Sequence, residues 1–113
     1  MDILKSLEEC SAVSSYEIDQ YRSWANGRYY KLVVSFRDNS TLFAREYVDQ
    51  TERCYSFHWQ DENKNLLRRW DNAPHHPNLD THPHHCHRGE KLPESAPTNL
   101  KEVLAFIEVR GKH

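Results

Sequence analysis

Alternation of apolar and polar residues is the clearest regular feature of the chain, and it predicts β-strands. The best example is the stretch that ends at Phe36, where every second residue is apolar and would point to one face of a sheet. Those apolar positions are Tyr30, Leu32, Val34 and Phe36. Lys31 and Ser35 would lie on the opposite face, as expected for a strand with one buried side.

Four further runs have strand character and are separated by polar turn sequences. They are residues 16–24, 41–48, 54–60 and 66–71. In the first run, Tyr16, Ile18 and Trp24 are expected on one face. The dipeptide Asn26–Gly27 predicts a two-residue type I′ hairpin turn with positive φ at both central residues. Together the runs predict an antiparallel meander of about five or six strands.

Two short segments have helical periodicity. "DILKSLEE" predicts a short N-terminal helix that starts at Asp2. "TNLKEVLAFIEVRG" predicts a C-terminal helix capped by Asn99, whose apolar stripe would cover one face of the sheet. The stripe consists of Leu100, Val103, Leu104 and Ile107. The expected fold is therefore an α+β single domain over residues 1–113.

Length and charge limit the classes of function. A chain of 113 residues supports one small core and hence one principal site. The net charge is −2, so no overall basic field attracts nucleic acid, and an RNA site would have to be a local patch. No apolar run is long enough for a signal peptide or a membrane span. We therefore expect a cytoplasmic protein that does not contact membranes.

The main compositional anomaly is a histidine- and proline-rich loop at residues 73–97. It contains all five prolines, which exclude a regular helix or a central strand, and residues 74–90 contain six of the eight histidines. A loop of this length in a small domain is usually functional or contains a short hidden element. Residues 82–87, "HPHHCH", could form an additional edge strand.

A first interpretation of this loop is catalytic. Histidine serves as both acid and base near neutral pH, so two histidines at one scissile bond could cleave RNA without metal. The candidates are His75, His76, His84, His85 and His87, of which we favour His76 and His85. The flanking cations would bind the phosphate, and these are Arg68, Arg69, Arg88 and Lys91. No cofactor would be needed.

Two other interpretations of the loop remain open. In an extended segment, His82, His84 and Cys86 would project to one side, and these are ligand types that suit zinc. Alternatively, the histidines belong to an ordinary turn in which Asp71 or Asn72 bonds its own backbone.

His58 lies outside the loop. Alternation puts it on the face opposite the aromatic residues of its strand, where Arg68 is the expected cross-strand neighbour. The pair would add a rigid, sheet-borne group to the loop site. The simpler alternative is a histidine on a solvated surface.

The loop and the strand before it resemble the TumE-type toxins of prokaryotic toxin-antitoxin modules. The resemblance is dense over residues 69–88, and "YSFHWQ" at residues 55–60 is similar as well. The matching positions are Trp70, Asp71, Asn72, Pro74, His75, His76, Pro83, His84, His85 and His87. His82 replaces an aromatic residue of the pattern, and Cys86 replaces a lysine, which removes a positive charge beside the expected phosphate site.

The resemblance implies a toxin with a cytoplasmic target and a cognate antitoxin protein as its partner. Combined with the histidine chemistry, it leads us to expect a metal-independent endoribonuclease. The alternatives are a zinc-binding regulatory or structural module and a non-enzymatic toxin that inhibits by occupying a partner's surface.

Overall fold

The computed structural model describes residues 3–71 and 98–110. Its elements, in chain order, are α1 (Ile3–Glu9), β1 (Val13–Trp24), β2 (Gly27–Phe36), β3 (Thr41–Val48), β4 (Arg53–Gln60), β5 (Leu66–Asp71) and α2 (Leu100–Arg110). The five strands form one sheet in the order β1-β2-β3-β4-β5, and each strand is antiparallel to the next. The predicted α+β fold and meander are confirmed. The additional edge strand expected within residues 82–87 falls outside the described residues.

The core lies on one face of the sheet, beneath both helices. The four stripe residues of α2 are all buried, as predicted, and α1 adds Ile3 and Leu7. From the sheet, the core receives Tyr30, Leu32, Val34, Phe36, Leu42, Ala44, Tyr55, Phe57 and Trp59. The helices cover only this inner face, so the opposite face of the sheet, called here the outer face, is left to the strands' alternate side chains.

The start of α2 confirms the predicted cap. Asn99 Oδ1 accepts a hydrogen bond from the backbone N–H of Glu102 over 2.9 Å, which satisfies a donor that the first helical turn leaves free. Thr98 Oγ1 also donates to Glu102 Oε1 over 3.0 Å.

A buried carboxylate fastens this helix start to the sheet. Glu46 is only 2% exposed, accepts a hydrogen bond from the Tyr30 hydroxyl over 2.9 Å and pairs with Arg53. The Arg53 guanidinium in turn donates to the carbonyl oxygen of Thr98. Burial and the neighbouring Glu46 carboxylate raise the pKa of Tyr30, so this hydroxyl remains a donor. Residue 98, at the far end of the histidine segment, is thereby held against β4.

The hairpin between β1 and β2 differs from the prediction. Trp24 pairs with Gly27, so Ala25 and Asn26 are the central turn residues, and neither Asn26 nor Gly27 has a positive φ. Gly27 is needed for a different reason. A Cβ there would collide with the carbonyl oxygen of Val48 and lie 2.9 Å from the Trp24 ring. The type I′ prediction was therefore wrong. The turn requires glycine because the backbone of Val48 passes close to residue 27, and not because residue 27 adopts a positive φ.

Strand β1 also departs from simple alternation. Ile18 pairs with Leu32 and Gln20 pairs with Lys31, which leaves Asp19 as an extra, bulged residue. The bulge reverses the phase of the strand, so Trp24 lies on the outer face near Tyr47, with ring centroids 5.8 Å apart. The expectation that Trp24 shares a face with Tyr16 and Ile18 was therefore wrong.

The three remaining turns occur where the polar sequences predict them. Asn39 adopts φ 73° between β2 and β3, and Lys64 adopts φ 69° between β4 and β5. Each turn is closed by an aspartate that accepts backbone N–H groups two to four residues further on. These aspartates are Asp38, Asp49 and Asp61.

Candidate functional site

The outer face carries the one histidine of the described ranges 3–71 and 98–110. His58 lies there because its neighbours Phe57 and Trp59 point into the core, so alternation turns the imidazole outward as predicted. The ring is half-buried. It contacts Phe43 of β3 in a T-shaped arrangement, with ring centroids 6.0 Å apart and an interplanar angle of 62°.

Hydrogen bonds define the protonation pattern of this imidazole. Arg69 Nη2 lies 3.3 Å from His58 Nδ1, and Gln60 Oε1 lies 3.1 Å from His58 Nε2. A guanidinium has only donors, so Nδ1 must be the acceptor. Nε2 then carries the proton and donates it to Gln60. In this arrangement the imidazole holds Arg69 against the sheet. The lone pair of Nδ1 accepts the hydrogen bond from Arg69.

The cross-strand partner of His58 is Arg69, and the expected pairing with Arg68 was wrong. Arg68 lies opposite Trp59, because Leu67 is an extra residue opposite the step from Trp59 to Gln60. The Arg68 guanidinium packs against aromatic rings on the inner face. It lies 5.4 Å from the centre of the Trp70 ring and 4.9 Å from that of Phe106 in α2.

Two further cations stand beside His58 on the outer face. Lys31 of β2 and Arg45 of β3 are direct register partners, and Arg45 also faces Ser56 of β4. A shallow pocket of about 180 Å³ opens between them. Its lining contains no carboxylate and consists of Lys31, Leu32, Val33, Phe43, Ala44, Arg45, Ser56 and His58.

The outer face leads directly into the histidine segment. Arg69 and Asp71 are its last positions on β5, and residue 72 follows Asp71 immediately. The structure thus places one of the predicted phosphate-binding residues, Arg69, on this face beside His58. Most of the other candidates lie outside the described residues: His75, His76, His84, His85, His87, Arg88 and Lys91.

The zinc alternative concerns the same segment. His82, His84 and Cys86 also lie outside the described residues. In residues 3–71 and 98–110, no three histidine, cysteine or acidic side chains come close enough to form a metal site.

Comparison with models of known protein families identifies the family of the chain. A model of the family described as "Toxin TumE" matches residues 3–110, which is nearly the whole sequence. The chain belongs to the TumE toxin family. A toxin role follows, and with it, as for such toxins in general, a cognate antitoxin. Searches of curated proteins and of solved structures each gave no match.

The same face contains residues that sequence reasoning missed. Phe43, Lys31 and Arg45 were assigned only to strands, without a function. The sequence of β3 did contain a signal, because its alternation is inverted. Phe43 stands at a position that faces solvent, and Glu46 stands at a position that faces the core.

Neither helix of the described part of this TumE-family chain is long and apolar enough to cross a membrane.

Proposed function

We propose that the chain is the toxin of a type II toxin-antitoxin module and that it cleaves RNA by histidine acid–base chemistry without metal. The observation that carries the proposal is the position of Arg69. Its guanidinium is held by His58 on an open sheet face, four residues before the histidine- and proline-rich loop begins at residue 73. A phosphate bound there would lie beside the chain that carries the candidate catalytic histidines. Membership in a toxin family supports the biological role.

The proposed reaction needs two histidines and one or more cations. One histidine accepts the proton of a ribose 2′-OH, and the 2′ oxygen attacks the adjacent phosphorus. The second histidine donates a proton to the 5′ oxygen as the bond from phosphorus to that oxygen breaks. The products are a 2′,3′-cyclic phosphate and a 5′-hydroxyl end. Arg69 and Arg88 would stabilise the charge that develops on the phosphate.

The two histidines come from the set His75, His76, His84, His85 and His87, with His76 and His85 as the favoured pair. The two histidines are nine positions apart in the sequence, with Pro77 and Pro83 between them. Arg68 is less suited to phosphate binding than Arg69, because its guanidinium packs on Trp70 and Phe106 on the inner face.

The test is cleavage of end-labelled single-stranded RNA by purified protein in the presence of a chelator. Wild type is expected to cleave and to leave 2′,3′-cyclic phosphate ends. His76→Ala and His85→Ala should each slow cleavage by about a hundredfold or more, the usual contribution of a general acid or base. His113→Ala, which removes a histidine outside the segment, is the matched control and should cleave normally.

Three results would contradict the proposal in different ways. Loss of cleavage with chelator, together with stoichiometric zinc and a lowered melting temperature, would favour the site at His82, His84 and Cys86. Growth arrest by protein that leaves every RNA intact would favour a non-enzymatic toxin. Unchanged cleavage in both histidine variants would contradict the assignment of His76 and His85 as the catalytic pair.

A further inference from the structure

The outer face has features that the cleavage chemistry does not require. Phe43 is 42% exposed at the centre of the sheet, although an aromatic side chain is usually buried in such a position. Its register partners are Val33 and His58, and Arg69 follows His58 in the same row. An apolar ring is therefore presented to solvent with a cation two strands away.

The cations of this face are arranged at a cost to the fold. Lys31 and Arg45 stand directly opposite each other, and like charges in such positions destabilise a sheet. Lys31 reaches Asp19 at 3.8 Å, but both side chains are more than half exposed, so this pair contributes little. Within the part of the chain that the structure describes, Arg45 forms no ion pair. A polyanionic ligand would relieve the repulsion between the two cations.

We propose that the outer basic face, formed by Lys31, Phe43, Arg45, His58 and Arg69, binds single-stranded RNA. A base stacks on Phe43, and the three cations contact the phosphates on either side of it. His58 is a positioning residue that holds the Arg69 guanidinium on the face. The inference rests on the proposed function to the extent that RNA is the molecule this toxin acts on.

Charge and shape favour a single strand as the occupant. The pocket between Lys31, Phe43 and His58 has no acidic lining residue, and the outer-face carboxylates Glu17 and Asp71 lie on the two edge strands, so the centre of the face suits a polyanion better than an acidic protein surface. An exposed aromatic ring such as Phe43 can stack on one unpaired base, whereas the bases of a duplex are already stacked on each other. The row from β2 to β5 spans about 14 Å at the usual strand spacing, which allows contacts to more than one phosphate.

The test measures binding separately from cleavage. The probe is a fluorescent single-stranded oligoribonucleotide of about twelve residues, fully 2′-O-methylated, so that attack by a 2′-OH is impossible. Its dissociation constant is measured by fluorescence anisotropy for wild type, Phe43→Ala and Arg45→Gln. Tyr21→Ala and Lys101→Gln are matched controls, since Tyr21 is 52% exposed on the inner-face side of β1 and Lys101 is exposed on α2.

Phe43→Ala should weaken binding about tenfold, the usual contribution of one stacked base. Arg45→Gln should weaken binding and reduce the slope of log affinity against log salt by about one. Neither control should change the affinity. All four side chains are exposed, so thermal melting should show folded protein in each case. A duplex of the same length should compete poorly.

Several results would overturn the inference. These are unchanged affinity in Phe43→Ala, equal losses in the two controls, or competition by the duplex at the same concentration as the single strand. Failure of the proposed function is seen separately. Protein that binds the probe through Phe43 but leaves cleavable RNA intact would refute the nuclease and retain the binding face. If wild type cleaves RNA but Phe43→Ala binds the probe as tightly as wild type, the nuclease is retained and the binding face is refuted.

Discussion

Arg69 of β5 donates to the Nδ1 atom of His58 on β4 over 3.3 Å, and this contact fixes the tautomer of the ring. We expect the imidazole of the folded protein to carry its proton on Nε2, from which it reaches Gln60 Oε1 at 3.1 Å. A ¹H–¹⁵N correlation spectrum of ¹⁵N-histidine-labelled protein should show the Nε2–H pattern for the His58 signal, identified by its loss in His58→Ala.

Removal of the guanidinium provides the control for this assignment. Arg69→Gln should leave the fold intact, because the side chain is exposed, but should move the His58 ring toward a mixture of tautomers. Lys101→Gln should leave the His58 signal unchanged. A spectrum of the wild type with the proton on Nδ1 would show that the contact does not form.

Gly27 provides a prediction about stability. A Cβ at this position would meet the backbone oxygen of Val48, which cannot swing away as a side chain does. Gly27→Ala should therefore lower the free energy of unfolding by about 1–3 kcal/mol, the usual cost of forced overpacking. Urea denaturation measures the loss. Asn26→Ala, in the same turn at an exposed position without positive φ, should have little effect. Equal stability of the two variants would contradict the assigned role of Gly27.

The parts of the fold that could be predicted from sequence are those that local physics determines. Alternation in β2 and the stripe of α2 each specify a buried face within a few residues. The Asn99 cap and the aspartate turns are equally local, because each side chain bonds its own neighbouring backbone. These elements needed no knowledge of their partners.

Register was not predictable in the same way. One bulged residue, Asp19, inverts the phase of β1, and one extra residue, Leu67, moves Arg68 away from His58 and brings Arg69 there. Both depend on pairing with a second strand. The outer face was missed for a related reason. Phe43 is recognised as exposed only when the sheet and its helix-covered side are known, although the histidine segment itself was conspicuous in the sequence.

The buried carboxylate of Glu46 leads to a further prediction. Glu46→Gln keeps the size of the side chain but removes the buried carboxylate that accepts from Arg53 and Tyr30, so it should cost roughly 2 kcal/mol of unfolding free energy. Tyr30→Phe removes one hydrogen bond and should cost about 1 kcal/mol. Glu17→Gln, at an exposed position of β1, is the control. Urea denaturation distinguishes these values, and a Glu46→Gln protein as stable as the control would contradict the structural role of the pair.

Asp49 makes stability depend on pH in the acid range. The hydroxyl of Tyr47 and the backbone N–H groups of Thr51 and Glu52 donate to its carboxylate and lower its pKa from 3.8 to about 2. Because the folded pKa is depressed, the stabilisation is complete above about pH 4 and is lost as the pH falls toward 2. The melting temperature of wild type should exceed that of Asp49→Ala by a constant amount at neutral pH, and the difference should shrink between pH 4 and 2. Glu8→Ala, on α1, serves as control, and a difference that persists undiminished at pH 2 would show that the charge of Asp49 does not stabilise this turn.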